Sequence, residues 1–506
     1  MITVLKGLRA SSYTIHVDLP SEPARVMLVH GYTGAYDLVS ADVAAYVRSL
    51  DPKPPKPLHG EWITPALDLG AVPTPPAELL ERLIARGHLT ETTREEERAR
   101  YERIVDKLDR RAKHGTPSYV IMPTYNCNLR CSYCFQDHMR TDARFEPLLR
   151  VMTPAVIDRL FDAMPAIEAR HGWTPQDDYP SRICFFGGEP LLRRSRPVVE
   201  RIIAKARASA RPFRFSAVSN MTECDAYLDL LGPEAIGTIQ VTIDGPAREH
   251  DRRRIHADGS GSFDQIAANV TAALDRGVYV DARMNIDRNN VELLPELARA
   301  YQQLGWSARP KFSAYVAAIH AGNAKTDKRT TFNSAELRAE VRQLRERYPE
   351  MDIIGSPDDG LRSQIIDVFN KASDPLPIFK TSYCGAHTGM YVIDPFGDIY
   401  ACWERTGDRN IRIGWLAEDG PQFVADRLKE WRGRTIATNE ACAQCRYSMY
   451  CGGGCAVYAE GVHGTMYGNY CDAFGRRFRE TVAEAYAMYR SGHRGVSGAV
   501  QALREL

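Results

Sequence analysis

The chain reads as an α/β protein: a partial (β/α)6 TIM-like barrel, preceded by a winged-helix-like β-then-α module and followed by an irregular, cysteine-rich domain. Three observations predict this. β-prone segments alternate with amphipathic helical segments through the middle of the chain. Short strands precede helices ahead of that region, and seven of twelve cysteines gather in the last quarter, where hydrophobic periodicity is weak.

In chain order, residues 13–19 and 25–29 are β-prone, 31–34 read as a turn and 35–39 as a third strand. Ser40 offers an N-cap oxygen for a helix to about residue 50, with Val43, Val47 and Leu50 on one side. The run DPKPPKP from Asp51 is a loop. Leu79, Leu80, Leu83 and Ile84 mark a second helix that stops at Gly87, and a charged helix follows from Thr93. Barrel strands are expected at 118–122, 182–186, 214–218, 238–243, 278–286 and 311–316. The helices between them are expected at 154–164, 198–208, 224–231, 263–276 and 291–304. Functional groups of such a barrel gather at the C-terminal ends of its strands. Residues 318–374 read as a polar helical connector, and 472–490 as a closing helix. The expected domains are therefore 1–115, 116–320, 321–380 and 381–506.

With 65 Lys+Arg against 64 Asp+Glu in 506 residues, the net charge is +1, and nucleic acid is not the default partner. The N-terminus lacks a signal-peptide h-region, and no apolar run approaches a membrane span. The expectation is a soluble cytoplasmic protein with no membrane partner. In that reducing compartment twelve cysteines are metal ligands or reactive groups rather than disulfides.

Cys127, Cys131 and Cys134 fall in YNCNLRCSYCFQ, directly after the first barrel strand, so one loop supplies three thiolates. A four-iron cluster held by three cysteines keeps one iron open; three cysteines alone also fit a zinc site short of one ligand. The second strand continues into ICFFGGEPLL, where Gly187 and Gly188 permit close backbone approach and Glu189 adds a carboxylate. The fourth continues into VTIDGPAREHDRRR. Together these segments resemble the radical S-adenosylmethionine (SAM) superfamily. That resemblance implies that the open iron chelates SAM and that cluster reduction yields a 5′-deoxyadenosyl radical able to abstract hydrogen. It places Tyr133 near the adenine, Gly187, Gly188 and Glu189 in the segment holding the SAM amino group, Thr242 against SAM, and Arg254 on the SAM carboxylate. Arg252 and Arg253 leave that last register open. Cys184 and Cys224 read as core cysteines.

The remaining seven cysteines are Cys384, Cys402, Cys442, Cys445, Cys451, Cys455 and Cys471, with Gly397 between the first two. Zinc-ribbon pairs would require neither the CGGGC turn nor Cys471. All seven resemble the SPASM extension of certain radical SAM enzymes, which implies two auxiliary [4Fe–4S] clusters and three in all. By that resemblance Cys384, Cys402 and Cys455 serve one cluster; Cys442, Cys445, Cys451 and Cys471 serve the other. The first set lacks a cysteine that fully ligated relatives carry: GAHTGM stands there. Either His387 or a nearby group fills the position, or an open iron accepts a substrate thiolate or carboxylate.

SPASM enzymes share polypeptide substrates. In sulfatase maturases a catalytic aspartate follows the cysteine corresponding to Cys402; here Trp403 stands there, and Glu404 would face the opposite way on a strand. The N-terminal module resembles the peptide-recognition element of quinone-cofactor biosynthesis, in which a leader adds a strand to an exposed β edge. The expectation is a peptide-modifying radical SAM oxidoreductase that forms a thioether or carbon–carbon cross-link in a ribosomal precursor peptide with a leader. An electron donor such as flavodoxin or ferredoxin would serve it. A sulfatase-maturase-like or small-molecule radical SAM dehydrogenase, and a non-enzymatic iron–sulfur regulator or electron carrier, are the alternatives. No residue is singled out as a catalytic acid or base.

Overall fold

The computed structural model describes residues 7–51, 72–173, 180–209, 211–320, 326–370 and 379–492; the expected Pro-rich loop lies outside them beyond Asp51. Two compact units emerge, and they do not follow chain order. One comprises the described residues of 1–112, 358–387 and 433–502, the other those of 113–357 and 388–432.

The larger unit is built on an eleven-stranded sheet. Its six central parallel strands are Ser118–Ile121, Ser181–Phe185, Phe213–Ser219, Ile236–Thr242, Tyr279–Ile286 and Phe312–Ala318, each hydrogen-bonded to the next, as expected for a partial barrel. Crossover helices cover the outer face through apolar residues at helical spacing. Pro154–Ala169 buries Val156, Ile157, Leu160, Ala163, Met164 and Ile167, and Phe263–Asp275 buries Phe263, Ile266, Val270 and Ala273.

Several expectations are corrected. The segment expected as an amphipathic α-helix at 224–231 is a 3₁₀ helix, Cys224–Leu230. Its buried residues, Cys224, Tyr227 and Leu230, recur every third position, the period of that helix and not of an α-helix. The helix from Pro154 continues past the expected end at 164, through Pro165. Beyond that proline, Ile167 and Glu168 are buried, and Glu168 accepts a hydrogen bond from the Tyr119 hydroxyl at 3.1 Å. The region expected to be irregular contributes four strands. Met390–Ile393 pairs parallel to the first barrel strand, and Asp398–Tyr400, Gly414–Ala417 and Gly420–Phe423 follow antiparallel. Strands of three or four residues are too short to show a period. Within the expected connector, Ile354–Gly355 extends the opposite edge of the sheet, while Asp359–Phe369 is a helix of the other unit.

In the smaller unit, Thr14–Asp18, Arg25–His30 and Tyr36–Ser40 form an antiparallel sheet with the middle strand between the others. Ser40 caps the helix Ala41–Ser49 by accepting from Val43 N. Ala77–Ala85 ends before Gly87, whose φ of +90° terminates the helix. A two-stranded ribbon that the pattern did not reveal pairs Arg9–Ala10 with Leu89–Thr90. Strand alternation sends the sheet's side chains two ways. Val26, Leu28 and Val39 pack with Val47, Leu83 and Leu89. Ile15, Val17, Met27 and Val29 pack with Ile365, Ile366, Phe478 and Val482 from Asp359–Phe369 and the terminal helix Phe474–Arg490. Tyr13 donates to Ala443 O at 2.7 Å, and Tyr101 and Ser448 share a buried 2.7 Å hydrogen bond. The β-then-α module and the late cysteine segment therefore share one core. Among the described residues no helix is long and apolar enough to cross a membrane.

Candidate active site at the barrel mouth

The cysteine loop leaves the first strand at its C-terminal end. Cys127 N donates to Asn126 Oδ1 (2.8 Å) and Arg130 N to Ile255 O (2.8 Å), tying the loop to the segment after the fourth strand. Donors point at the sulfurs: Leu129 N and Asn220 Nδ2 at Cys127 Sγ (3.4 and 3.7 Å), and the Arg140 guanidinium at Cys134 Sγ (3.1 Å). Burial pushes the Cys127 thiol up to about 12 and raises that of Cys131.

The Gly-Gly-Glu segment braces this loop. A Cβ on Gly188 would lie 2.3 Å from the carbonyl oxygens of Tyr125 and Asn126, and Gly187 has φ +128°. Glycine is what allows the two loops to touch. Gly188 N then donates to Thr124 O and Glu189 N to Asn126 O. The Glu189 carboxylate is spent internally, accepting from Ser219 Oγ (2.7 Å), Asn220 N (2.6 Å) and Leu191 N (2.9 Å). Burial raises it to about 7, with those hydrogen bonds pulling back. It acts through Asn220, whose amide also reaches Asn128 Oδ1 at 2.9 Å. What Glu189 leaves for a ligand is backbone.

Thr242 is the last residue of the fourth strand. Just beyond, Asp244 is fully buried, accepts from Asn285 N at 2.9 Å and receives the Tyr133 hydroxyl. Tyr133 in turn accepts from Arg254 (2.7 Å) and Asn285 Nδ2 (3.2 Å). Arg252 is exposed on Glu249, while Arg253 and Arg254 are both buried: Arg253 pairs with Asp287 at 2.6 Å and lies over the Tyr133 ring, and Arg254 lies 3.9 Å from Asp244. Arg254 is 8% exposed and its Nε has no partner. Asp244, Asn220 and Asn285 were missed by the sequence reading; the IDG step after the fourth strand was the available signal for Asp244. Trp403, at the turn after Asp398–Tyr400, packs its ring at a tilt of 42° and 5.7 Å from that of Phe186, which immediately precedes Gly187. Cys402 belongs to this unit too. Cys224 is buried, while Cys184, expected as a core cysteine, is half-buried.

The other unit gathers most late cysteines. Cys442 lies on a turn capped by Asn439 and Cys445 N donates to Cys442 O. Gly452, Gly453 and Gly454 all have positive φ, which L-residues with side chains rarely adopt. A Cβ on Gly454 would lie 1.8 Å from Tyr470 O, so the turn seats Cys455 beside the segment leading to Cys471. Burial raises the Cys442 thiol, and the nearby Cys445, Cys451 and Cys471 raise it further. Burial raises the Tyr383 hydroxyl, and Cys455, Cys384, Asp472 and Cys451 raise it further. His387 is fully buried, its N–H donating to Cys384 O. Arg434, also buried, donates to the carbonyls of Met466, Gly453 and Gly468 within reach of these thiols.

Comparison with known proteins finds relatives of the barrel. Residues 121–300 match the model of the radical SAM superfamily. The mycofactocin maturase MftC of Mycolicibacterium smegmatis is 25% identical over 336 residues, 66% of this chain and 76% of that protein. Fe-coproporphyrin III synthase of Methanosarcina barkeri is 22% identical, covering 70% of this chain and 87% of its own. The solved structure of anSMEcpe with bound AdoMet and a Cp18Cys peptide superposes with a TM-score of 0.54 at 13% identity, over 74% of this chain and all of that one.

The superfamily uses SAM and a four-iron cluster. The residues present fit that group: three thiols on one loop, N–H donors aimed at their sulfurs, and a buried arginine with an unpartnered Nε beside them. Among the described residues no three His, Cys, Asp or Glu side chains converge as donors to one ion, and a cluster that takes each thiolate on a different iron requires no such convergence. The barrel is a radical SAM domain, with the cysteine loop and fold of that superfamily.

Proposed function

We propose that this chain is a SPASM-type radical SAM maturase that oxidatively cross-links a ribosomally made precursor peptide. Cys127, Cys131 and Cys134 would hold the SAM-binding cluster, with Tyr133, Thr242, Arg254 and the backbone of Gly187–Gly188–Glu189 around SAM. Cys442, Cys445, Cys451 and Cys471 would hold one auxiliary cluster, and Cys384 and Cys455 serve the other, for which Cys402 rests on sequence alone. When bound, the cluster and SAM supply a 5′-deoxyadenosyl radical that abstracts hydrogen, with electrons from a flavodoxin or ferredoxin. The protein's part is to aim that reagent. Glu189 and Asn220 hold the cysteine loop, Asp244 and Arg254 fix Tyr133, and Trp403 and Phe186 give the mouth an apolar wall.

The observation that carries the peptide reading is the edge strand Tyr36–Ser40. Hydrogen bonds from His30 N to Ala35 O and from Ala41 N to Ala24 O set the ladder so that odd positions face the middle strand. The backbone of Tyr36, Leu38 and Ser40 consequently turns outward, and Leu38 is 38% exposed. Such an edge can accept a leader as a further strand. Similarity to the mycofactocin maturase supports the same reading. Similarity to Fe-coproporphyrin III synthase favours a second one, a small-molecule oxidation in the same barrel.

The test is co-expression with a short open reading frame adjacent to the gene. Loss of two hydrogens per modification supports oxidative cross-linking, and an unchanged mass with altered stereochemistry would mean epimerisation. Leu38→Pro removes an outward N–H without touching the ladder. It should lower modification at least ~10-fold at limiting peptide, about the 1.4 kcal/mol of a lost docking contact. Modification untouched by this variant would move the leader elsewhere.

A further inference from the structure

The concave face of the barrel carries a polar group that the SAM site does not use. On the fifth strand Val280, Ala282, Met284 and Ile286 are fully buried toward the helices, so Asp281, Arg283 and Asn285 take the opposite, inner face. Register sets Gln240 and Ser313 beside Asp281, and Tyr315 beside Arg283. Ser313 Oγ donates to Asp281 Oδ1 at 2.5 Å, and the Tyr315 hydroxyl to Gln240 Oε1 at 2.9 Å. Asn285, one pleat above Arg283, reaches the Tyr133 hydroxyl, which places this group directly beneath the Tyr133–Asp244–Arg254 hub.

Two atoms of the group are left over. Asp281 Oδ2 and Arg283 Nε are buried without a partner, and Arg283 makes no hydrogen bond or ion pair among the described residues. Arg283 is half-buried, with its Nε enclosed, and a guanidinium has five donors in a planar fork to satisfy. No oxygen of Asp281 lies within ion-pair distance of it; burial raises the Asp281 carboxyl to about 6, with the Ser313 hydrogen bond and the Arg283 charge pulling back. A half-buried cation with an unpartnered Nε on the inner face of the barrel suits a ligand that carries the counter-charge.

We propose that Arg283 anchors the substrate by taking a carboxylate of the peptide, C-terminal or from an Asp or Glu side chain, in bidentate fashion. This rests on the peptide reading and adds the chemistry by which the reacting segment is recognised. Asp281 Oδ2 would accept an N–H of the same segment. The two carboxylate sources share one chemistry and differ in which neutralisation harms the substrate.

The experiment uses the reconstituted full-length enzyme. Phenylglyoxal labelling of individual arginines is mapped by mass spectrometry in the presence of SAM and either acetate or acetamide. Acetate should slow labelling of Arg283 severalfold relative to the exposed Arg252, and acetamide should not; equal effects of the two overturn the proposal. With the precursor peptide, wild type should prefer the free acid over its C-terminal amide, or the native peptide over its Asp→Asn and Glu→Gln forms, by on the order of 10²-fold in kcat/KM. In Arg283→Met that preference should shrink toward unity, with partial return in Arg283→Lys. Arg283→Met should melt close to wild type, since the half-buried guanidinium makes no hydrogen bond or ion pair among the described residues. Melting several degrees lower, or an undiminished preference, assigns Arg283 a structural role and sinks the anchor. If wild type makes 5′-deoxyadenosine but modifies no peptide, the maturase reading fails, while acetate protection still decides whether Arg283 receives carboxylates.

Discussion

The two cysteine-rich regions solve the same problem by opposite means. At the barrel mouth three cysteines sit on one continuous loop, and a regular parallel sheet brings Gly188, Asn220, Asp244 and Arg254 to it from the ends of successive strands. In the other unit the cysteines are spread over Cys384 to Cys471, and three consecutive left-handed glycines, rather than a sheet, fold them back on one another. Its hydrophobic support comes from elsewhere in the chain, the strands at 14–30 and helices at 359–369 and 474–490. The barrel site is thus periodic and local, the second site irregular and assembled from remote segments. Removing the N-terminal module is for this reason not a clean test of leader binding: its strands are half of the core behind the late cysteines.

Glycine substitutions should separate the two sites most forcefully. Gly188→Ala forces a Cβ to 2.3 Å from two carbonyls, and Gly454→Ala to 1.8 Å from Tyr470 O at φ +74°; each should cost about 3 kcal/mol. Gly188→Ala should abolish 5′-deoxyadenosine and lose about four irons per chain, one cluster's worth. Gly454→Ala should lose a similar quantity of iron yet retain SAM cleavage. Iron analysis with electron paramagnetic resonance checks both, and identical iron loss with identical SAM cleavage would dissolve the distinction.

Within the barrel, Arg254→Met should weaken SAM binding by about 2–4 kcal/mol, since it strips a buried charge from Tyr133 and Asp244. Arg252→Gln, on an exposed pair with Glu249, should change it by under about 0.5 kcal/mol. Isothermal titration with SAM measures the gap; equal losses would mean that the arginine register is wrong.

A smaller, graded effect compares the units by pH. Burial lowers His30 in one and His250 in the other to about 3. The His30 ring accepts from Thr33 N at 3.2 Å through Nδ1, which suits the neutral form. Between about pH 3 and the ordinary value near 6.5, the unfolded chain binds a proton that the folded one refuses. Stability therefore rises with pH there, by about 1.4 kcal/mol per pH unit for each histidine, and levels off above about 6.5. Urea unfolding of His30→Gln and His250→Gln between pH 4.5 and 6 should show each slope reduced by one proton. A slope unchanged in either variant would show that its histidine is not buried neutral.

The barrel was legible because its six strands and long crossover helices repeat a period over enough residues to be read, and the three cysteines because their spacing on one loop is a local property. Arg254 could be nominated but not chosen from Arg252 and Arg253, since adjacent positions differ only in which way the chain turns after the helix Ala247–Arg253. Glu189 stood out at the end of the second strand, but its internal use was not legible, because it depends on Ser219 and Asn220 one strand away. The strands Met390–Ile393 through Gly420–Phe423 are too short to carry a pattern and gain their stability from the sheet they join.

By itself, then, the sequence determined the local chemistry: which loop carries thiolates, which glycines must bend, and which segments repeat as strand and helix. Those depend on neighbours a few residues apart. Tertiary structure alone decided which cysteines share a unit with the N-terminal sheet, that Tyr133 is fixed by Asp244 and Arg254, and that Arg283 is left unpaired on the inner face. These follow from strand register and from packing between segments hundreds of residues apart, where a one-residue shift exchanges the buried and open faces.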